Sequence, residues 1–233
     1  SFTLKAGQLL ESVRRVSYAI PQQGGNATMS TMCLQAKDGQ LNFVGLDGHV
    51  LAWDKVDYDG EFELLIPKNT IDKLKTLGLA GDVQISYSNT MAMFATDDFE
   101  VCTRLVEGTY FKYQKMFNEL PLHTVVSRKE LLDAMVRAKM CTAEKCPVRF
   151  EISGKQLNLS IRDKVTDYHE TVDLQEEISE ALTIGFDARL VLETLKAFDC
   201  DNVGISVNGP KMPMIVESED SDFKAIVLPV SIN

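Results

Sequence analysis

A histidine beside a carboxylate is the first arrangement in this chain that could do chemistry. Asp47-Gly48-His49 offers one, and an oriented imidazole can activate a neighbouring nucleophile. Only His123 and His169 could assist, and no serine or cysteine nucleophile motif accompanies them. His49 therefore reads as a residue that shapes a turn and a pocket wall. The five cysteines, Cys33, Cys102, Cys141, Cys146 and Cys200, are odd in number and lack zinc-ribbon spacing. They read as reduced thiols in or near the core, where free cysteine packs as a small hydrophobe. Glu217, Glu219, Asp220 and Asp222 form an acidic run, read as a solvated turn rather than a cation site. Tyr110, Phe111, Tyr113 and Phe117 could stack on bases, but their place between the two halves of the chain suits fastening a junction. There is no phosphate-loop signature and no metal-ligand cluster. The expectation is a protein without catalytic residues, cofactor or metal.

The elements that would position such residues repeat. The chain has 233 residues, of which 45% are hydrophobic and 25% charged, the balance of a globular protein of one large or two modest domains. Each half opens with a short apolar strand, at 2–4 and 124–126, followed by a helical segment in which Gln8 to Ser12 answers Glu130 to Ala134. A hairpin follows, Asp38-Gly39 answering Ser153-Gly154 as the turn. Leu64-Leu65-Ile66 answers Leu182-Thr183-Ile184 before a second helix, then Asp82 to Ser86 answers Asn202 to Ser206, and Met91-Ala92-Met93 answers Met212-Pro213-Met214. The offset is 120–122 residues at several of these places, the mark of a duplicated domain.

Apolar spacing makes the helices amphipathic, with Leu9, Leu10, Val13 and Val16 in the first and Leu131, Leu132, Met135 and Val136 in the third. Asn69 and Asp187 suit a helix cap or first turn, and Gly78 a helix end. The fold class is α+β, antiparallel sheet with two helices per domain on one face. The domains are 1–121 and 122–233, divided near Pro121.

Charge is segregated. The chain carries a net charge of -10, which argues against coating nucleic acid with its whole surface. The four helical segments, 5–19, 68–78, 127–140 and 187–198, sum to +6 and leave -16 for the remainder. No apolar run approaches the roughly 20 residues that span a bilayer. The N-terminus has no basic region followed by an apolar core. No membrane association is expected, and the expected compartment is the cytoplasm.

Four segments resemble the bacterial beta sliding clamp family, the processivity subunits of the replicative DNA polymerase III holoenzyme. Leu46-Asp47-Gly48-His49-Val50-Leu51-Ala52 resembles the family's Thr-Asp-Gly-His-Arg-Leu-Ala. Leu105 to Tyr113 resembles its Leu-Val-Asp-Gly-Arg-Phe-Pro-Asp-Tyr linker, Ile184-Gly185-Phe186 its Ile-Gly-Phe-Asn region, and Val227-Leu228-Pro229-Val230 its terminal Val-Met-Pro-Met. Their order matches the family's second and third domains over essentially the whole chain. Most departures from the pattern fall in the partner-peptide pocket that the resemblance implies: Val50 and Lys115 stand at usual arginines, Phe111 at a proline, and the end reads Pro229-Val230-Ser231-Ile232-Asn233 instead of Pro-Met-Arg-Leu.

The resemblance implies tandem clamp-fold domains whose helices line a hole for duplex DNA, held by topology without sequence preference. Implied partners are double-stranded DNA, the replicative polymerase, the clamp loader and other proteins carrying a clamp-binding motif. A protein-interaction adaptor of the same fold that has lost DNA loading is the alternative. The implied DNA-facing residues are Arg14, Arg15, Gln23, Lys73, Lys75, Arg137, Lys139, Arg189 and Lys196, and helix rotation decides which of them face the hole. The implied peptide pocket, placed between the two domains, is lined by Met29, Leu46, Gly48, His49, Val50, Leu51, Phe111, Lys115, Met116, Ile226, Val227, Leu228, Pro229, Val230 and Ser231. That lining is mainly apolar, as a peptide groove should be.

In the family six domains close a homo-oligomeric ring, three from each of two chains, and head-to-tail joints close only when the rotations sum to a full turn. This chain starts at Ser1 in register with the second domain, so it is expected to be a fragment, mainly monomeric, with an exposed strand edge. A complete two-domain clamp would instead be a trimer. Light scattering at micromolar concentration should give a mass near 26.0 kDa; a stable threefold mass would contradict the fragment reading.

Overall fold

The computed structural model describes residues 1–22, 26–141, 147–162 and 166–232. Two compact units, Ser1–Tyr113 and Gln114–Asn233, make up the chain. The division falls after Tyr113 and not at Pro121, because the segment leading to it is tied down within the first unit. Val106 N–H donates to the Leu65 carbonyl at 3.0 Å. Tyr110 N–H donates to Glu63 at 3.3 Å. The Tyr113 hydroxyl donates to Gln35 at 3.0 Å, and its ring meets Trp53 edge-on with centroids 5.3 Å apart. Tyr110 and Tyr113 are buried, and that burial pushes both phenols well up. Phe111 points out, 52% exposed.

The first unit runs β1 (Phe2–Lys5), α1 (Ala6–Ser17), a 3-10 turn (Ala27–Ser30), β2 (Thr31–Lys37), β3 (Gln40–Leu46), β4 (Val50–Asp57), β5 (Phe62–Pro67), α2 (Lys68–Thr76), β6 (Asp82–Tyr87), β7 (Met91–Ala95) and β8 (Glu100–Arg104). Its strands form two antiparallel sets, β1-β6-β7-β8 and β4-β3-β2-β5. The second unit runs β9 (Leu122–Ser127), α3 (Arg128–Cys141), β10 (Val148–Arg162), β11 (Asp167–Phe186), α4 (Ala188–Ala197), β12 (Asn202–Val207), β13 (Met214–Glu217) and β14 (Lys224–Val227). Its pairings run β10-β11-β9-β12-β13-β14, all antiparallel. Among the described residues no helix is long and apolar enough to cross a membrane.

Strand register carries the duplication. Leu4 faces Val83 where Val126 faces Val203. Leu41 faces Val56 where Leu157 faces Val172, so the offset has fallen to 116. β10 and β11 each do the work of two strands: 156–162 pairs with 167–173 as β3 pairs with β4, and 148–152 pairs with 182–186 as β2 pairs with β5. One sequence match shifts. Leu64-Leu65-Ile66 answers Ile184-Gly185-Phe186, not Leu182-Thr183-Ile184, since the buried triplets and the helix starts at Lys68 and Ala188 both align there. A shift of two residues keeps every side chain on its face of a strand, so alternation alone could not detect it.

Helix burial follows the apolar stripes. Leu9, Val13 and Val16 of α1 are fully buried, and Asp187 caps α4 by accepting from the Arg189 N–H at 2.8 Å and the Leu190 N–H at 3.4 Å. In α3 the stripe is Leu131, Ala134, Met135 and Ala138, and Val136 is 41% exposed. At about 100° per residue Val136 is turned away from it, which corrects its place in the apolar face. Cys33 is buried, Cys141 and Cys200 half-buried, and Cys102 exposed on β8, so Cys102 departs from a core reading; Cys146 lies outside the described residues.

An arginine ties each unit's first helix to its sheet. Arg15 on α1 donates to both oxygens of Asp54 on β4, at 3.4 and 3.3 Å, and to Glu11 at 2.6 Å. Arg137 on α3 donates from Nε to Glu170 at 3.0 Å, and its Nη2 pairs with the same carboxylate. By the offsets of the duplication, Arg137 answers Arg15 and Glu170 answers Asp54. Asp54 is only 1% exposed, and desolvation raises its pKa although Ser12 and Arg15 act against this. A raised carboxyl favours folding when protonated, and that contribution is lost as pH rises through the folded pKa. Arg15→Met should therefore cost about 3 kcal/mol near neutrality, the lower end for breaking a buried pair. The loss should shrink toward pH 4, where Asp54 can take a proton. Urea unfolding of both forms at the two pH values checks this; a loss independent of pH would contradict it.

Candidate functional site

In the first unit the expected pocket residues gather at the β3–β4 turn. Asp47 Oδ1 accepts from the backbone N–H of His49 and of Val50, both at 2.8 Å, and Asp47 N–H donates to the Val50 carbonyl at 3.1 Å. Gly48 sits at φ +85°, where a side chain would strain the backbone. This turn sets Leu46 opposite Leu51 and holds Met29 against Gly48, its Cε 3.7 Å from the position a Cβ would take. Val50 and Leu51 are buried and His49 is exposed. Asp47 thus spends its carboxylate on backbone donors rather than on the imidazole.

In the second unit the expected residues lie along and beyond β14. Ile226 and Val227 are buried, Leu228, Pro229 and Val230 half-buried, and Ser231 exposed. Lys115 is exposed and Met116 half-buried on a 3-10 turn (Tyr113–Met116). After β14 the tail crosses β11. Val230 N–H donates to the Gly185 carbonyl at 2.9 Å, and a Cβ at Gly185 would come within 2.7 Å of Ile232 Cγ1 and 2.8 Å of the Val230 carbonyl. Only a glycine admits the tail at this distance. Beside it a cavity of about 600 Å³ is lined by Arg149, Thr183, Pro210, Lys211, Pro229, Val230, Ser231 and Ile232. Arg149, Thr183 and Lys211 carried no sequence signal; the β10–β11 register brings Arg149 opposite Gly185, and Lys211 comes from the β12–β13 connection.

The expected DNA-facing residues are spread over all four helices. Gln23 lies outside the described residues. Arg15 and Arg137 are engaged by the carboxylates of Asp54, Glu11 and Glu170, and Lys196 pairs with Glu193 at 3.0 Å. Lys75 donates to the Ser17 hydroxyl at 2.9 Å; burial, then the neighbouring Lys68, hold its pKa below the usual range. Lys73, Lys139 and Arg189 are exposed and Arg14 is half-buried.

A second cleft of about 660 Å³ takes in the acidic run, with Glu176, Gln175, His123 and Lys224 around it. His123 Nδ1 lies 2.9 Å from the Ser206 hydroxyl. No group of three or more His, Cys, Asp or Glu among the described residues could hold a metal ion.

Two family models match the chain in order: the DNA polymerase III beta subunit central domain over residues 3–112, and the C-terminal domain of the same subunit over residues 118–231. The chain belongs to the DNA polymerase III beta subunit family. It is 25% identical to the beta sliding clamp of Proteus mirabilis over 97% of this chain, and spans about 64% of that relative's length. A crystal structure of a putative DNA polymerase III beta subunit from Eubacterium rectale superposes with a TM-score of 0.92 at 25% identity, covering 98% of this chain and 64% of the other. A sliding clamp from Pseudomonas aeruginosa bound to griselimycin gives a TM-score of 0.93 at 23% identity, covering 99% and 65%; at that identity the likeness is one of fold. The gap between the two model matches brackets the division after Tyr113.

The tail's placement is testable through one amide. The Val230 N–H should exchange slowly with solvent, being donated to Gly185. Gly185→Ala should release it and raise its exchange rate at least tenfold, while core amides such as that of Val203 keep theirs. Unchanged Val230 protection in the variant would contradict the close crossing.

Proposed function

We propose that this chain is a non-enzymatic sliding-clamp segment that contributes to processivity by helping to encircle duplex DNA and by docking partner peptides. One observation carries the reading: the central-domain and C-terminal-domain models match consecutively over a chain whose two units repeat the same helix–strand order. The partners proposed with it are double-stranded DNA, the replicative polymerase, the clamp loader and other proteins with a clamp-binding motif, with ring assembly belonging to the longer relatives. DNA contacts would run to phosphates and carry no sequence information.

Partner docking is assigned to the residues the family resemblance implies. The first unit contributes the ordered Leu46–Leu51 turn with Met29 and exposed Phe111; the second contributes Lys115, Met116 and Ile226 to Ser231. Val50 and Ser231 stand at positions of usual arginines, so two cations of the family pattern are missing there. The peptide preference should accordingly be shifted from that of the relatives.

The adaptor reading draws on a different observation. Arg15, Arg137 and Lys196 on the helices are already paired with carboxylates, which reduces the counterions the helices can release from DNA. Titration calorimetry and DNA binding separate the two readings. Leu228→Asp should abolish binding of an apolar-anchored peptide in either case. A clamp segment should bind a duplex weakly, around 10⁻⁴–10⁻⁶ M, with affinity falling steeply in salt, and Lys73→Glu with Arg189→Glu should weaken it further. Duplex binding absent even at low salt would leave the adaptor; unaltered peptide affinity in Leu228→Asp would sink the docking site.

A further inference from the structure

The cavity beside the tail has a charge pattern that apolar peptide anchoring does not use. Its charged lining is Arg149 and Lys211, with no acid, in a segment, residues 114–233, that carries 20 acids against 14 lysines and arginines. We propose that this cavity receives the carboxylate of a docked partner peptide, an inference that rests on the peptide-docking reading and specifies its chemistry.

Arg149 stands directly opposite Gly185 in the β10–β11 pairing. Partners in an antiparallel pair project to the same face, and the face of Gly185 is the one the tail crosses. The guanidinium is held by its Nε, which donates to Glu151 at 2.9 Å. That leaves the terminal Nη groups for a second acceptor, and a guanidinium edge with two parallel N–H donors matches a carboxylate. Lys211 comes from the β12–β13 connection, is exposed, and has no ion-pair partner among the described residues. The remaining walls are largely apolar: Pro210, Pro229, Val230 and Ile232.

Cations beside apolar walls select a ligand that brings both kinds of group at once. A peptide carboxylate next to an apolar side chain does this; a DNA phosphate, flanked by solvated sugars, does not. Ser231 stands where the family's terminal segment has arginine, so in this chain the cations beside the tail come from neighbouring strands and loops. The carboxylate could be a chain terminus or an acidic side chain, and three peptides distinguish them.

The probes are fluorescein-labelled Ser-Leu-Ser-Leu-Phe as the free acid and as the C-terminal amide, and the amide of Ser-Leu-Asp-Leu-Phe, each titrated by anisotropy with the whole chain. The free acid or the Asp peptide should bind about three- to tenfold more tightly than the plain amide, the range for partly exposed charge-assisted contacts. The gap should close in the double variant Arg149→Gln, Lys211→Ala, and narrow with added salt. Both side chains are exposed enough for the fold to survive; near-superimposable circular dichroism of the variant verifies that. If all three peptides bind equally and Leu228→Asp removes them all, docking stands and the carboxylate site is wrong. If no peptide binds, both readings fall. Displacement of the free acid by a short DNA duplex from the original chain but not from the double variant would assign the cations to phosphate and overturn the proposal.

Discussion

The arginine that ties each unit's first helix to its sheet is the interaction on which the rest of the arrangement turns. α1 and α3 are short, 12 and 14 residues, a length at which an isolated helix is marginal in water. Their existence depends on burying an apolar stripe, and their rotation on what that stripe and the arginine both satisfy. Arg15 reaches Asp54 and Arg137 reaches Glu170, each from helix to strand at equivalent places. In the second unit Tyr168 reinforces the tie: its hydroxyl donates to the Glu170 carboxylate and lies 3.1 Å from the Ala134 carbonyl. The Arg137 contacts and that phenol hold the Glu170 carboxyl below its usual range.

That tie also decides how charge segregation should be read. The excess of helix cations, counted along the sequence, suggests a basic lining. Several of those cations are committed to intramolecular carboxylates, which masks part of the field that would attract phosphate. Lys68 with Asp72 and Lys129 with Asp133, at 3.0 and 2.8 Å, follow the same pattern. Under the sliding-clamp reading such a surface would hold DNA loosely, and loose, sequence-blind contact would suit retention by topology.

The duplication, the fold class and the element order were legible because they rest on apolar periodicity and turn residues, which are local. Leu9, Val13 and Val16 announce a buried helix face, and Asp187 announces a cap. Other features were not legible. The two-residue shift at Ile184-Gly185-Phe186 is hidden by strand alternation. Val136 looked apolar enough to be buried, but the angle to Leu131 and Met135 excludes it. The lining of the tail cavity depends on strand register between residues far apart in sequence, and no local pattern marks Arg149 or Lys211. The turn at Asp47-Gly48-His49 was legible as a turn, whereas the use of the Asp47 carboxylate on two backbone donors emerged only from its geometry.

The same structural position has been put to different use in the two units. Leu65 answers Gly185, and each carbonyl accepts from the segment beyond the unit's last strand, Val106 in one case and Val230 in the other. Across the pairing, Cys33 faces Leu65 as Arg149 faces Gly185. In the first unit the crossing segment continues over the strands, anchored by Tyr110 and Tyr113, and Cys33 beneath it is fully buried, its thiol pushed up by desolvation. A charged residue there would be stripped of water, so a small apolar thiol fits. In the second unit the tail crosses close over a glycine and the equivalent strand position stays open, with Arg149 about half exposed beside a cavity. A duplicated fold thus supplies a covered position that only packs and an open one beside a cavity. The difference reduces to the path of the chain beyond the last strand and to whether the residue it crosses has a side chain.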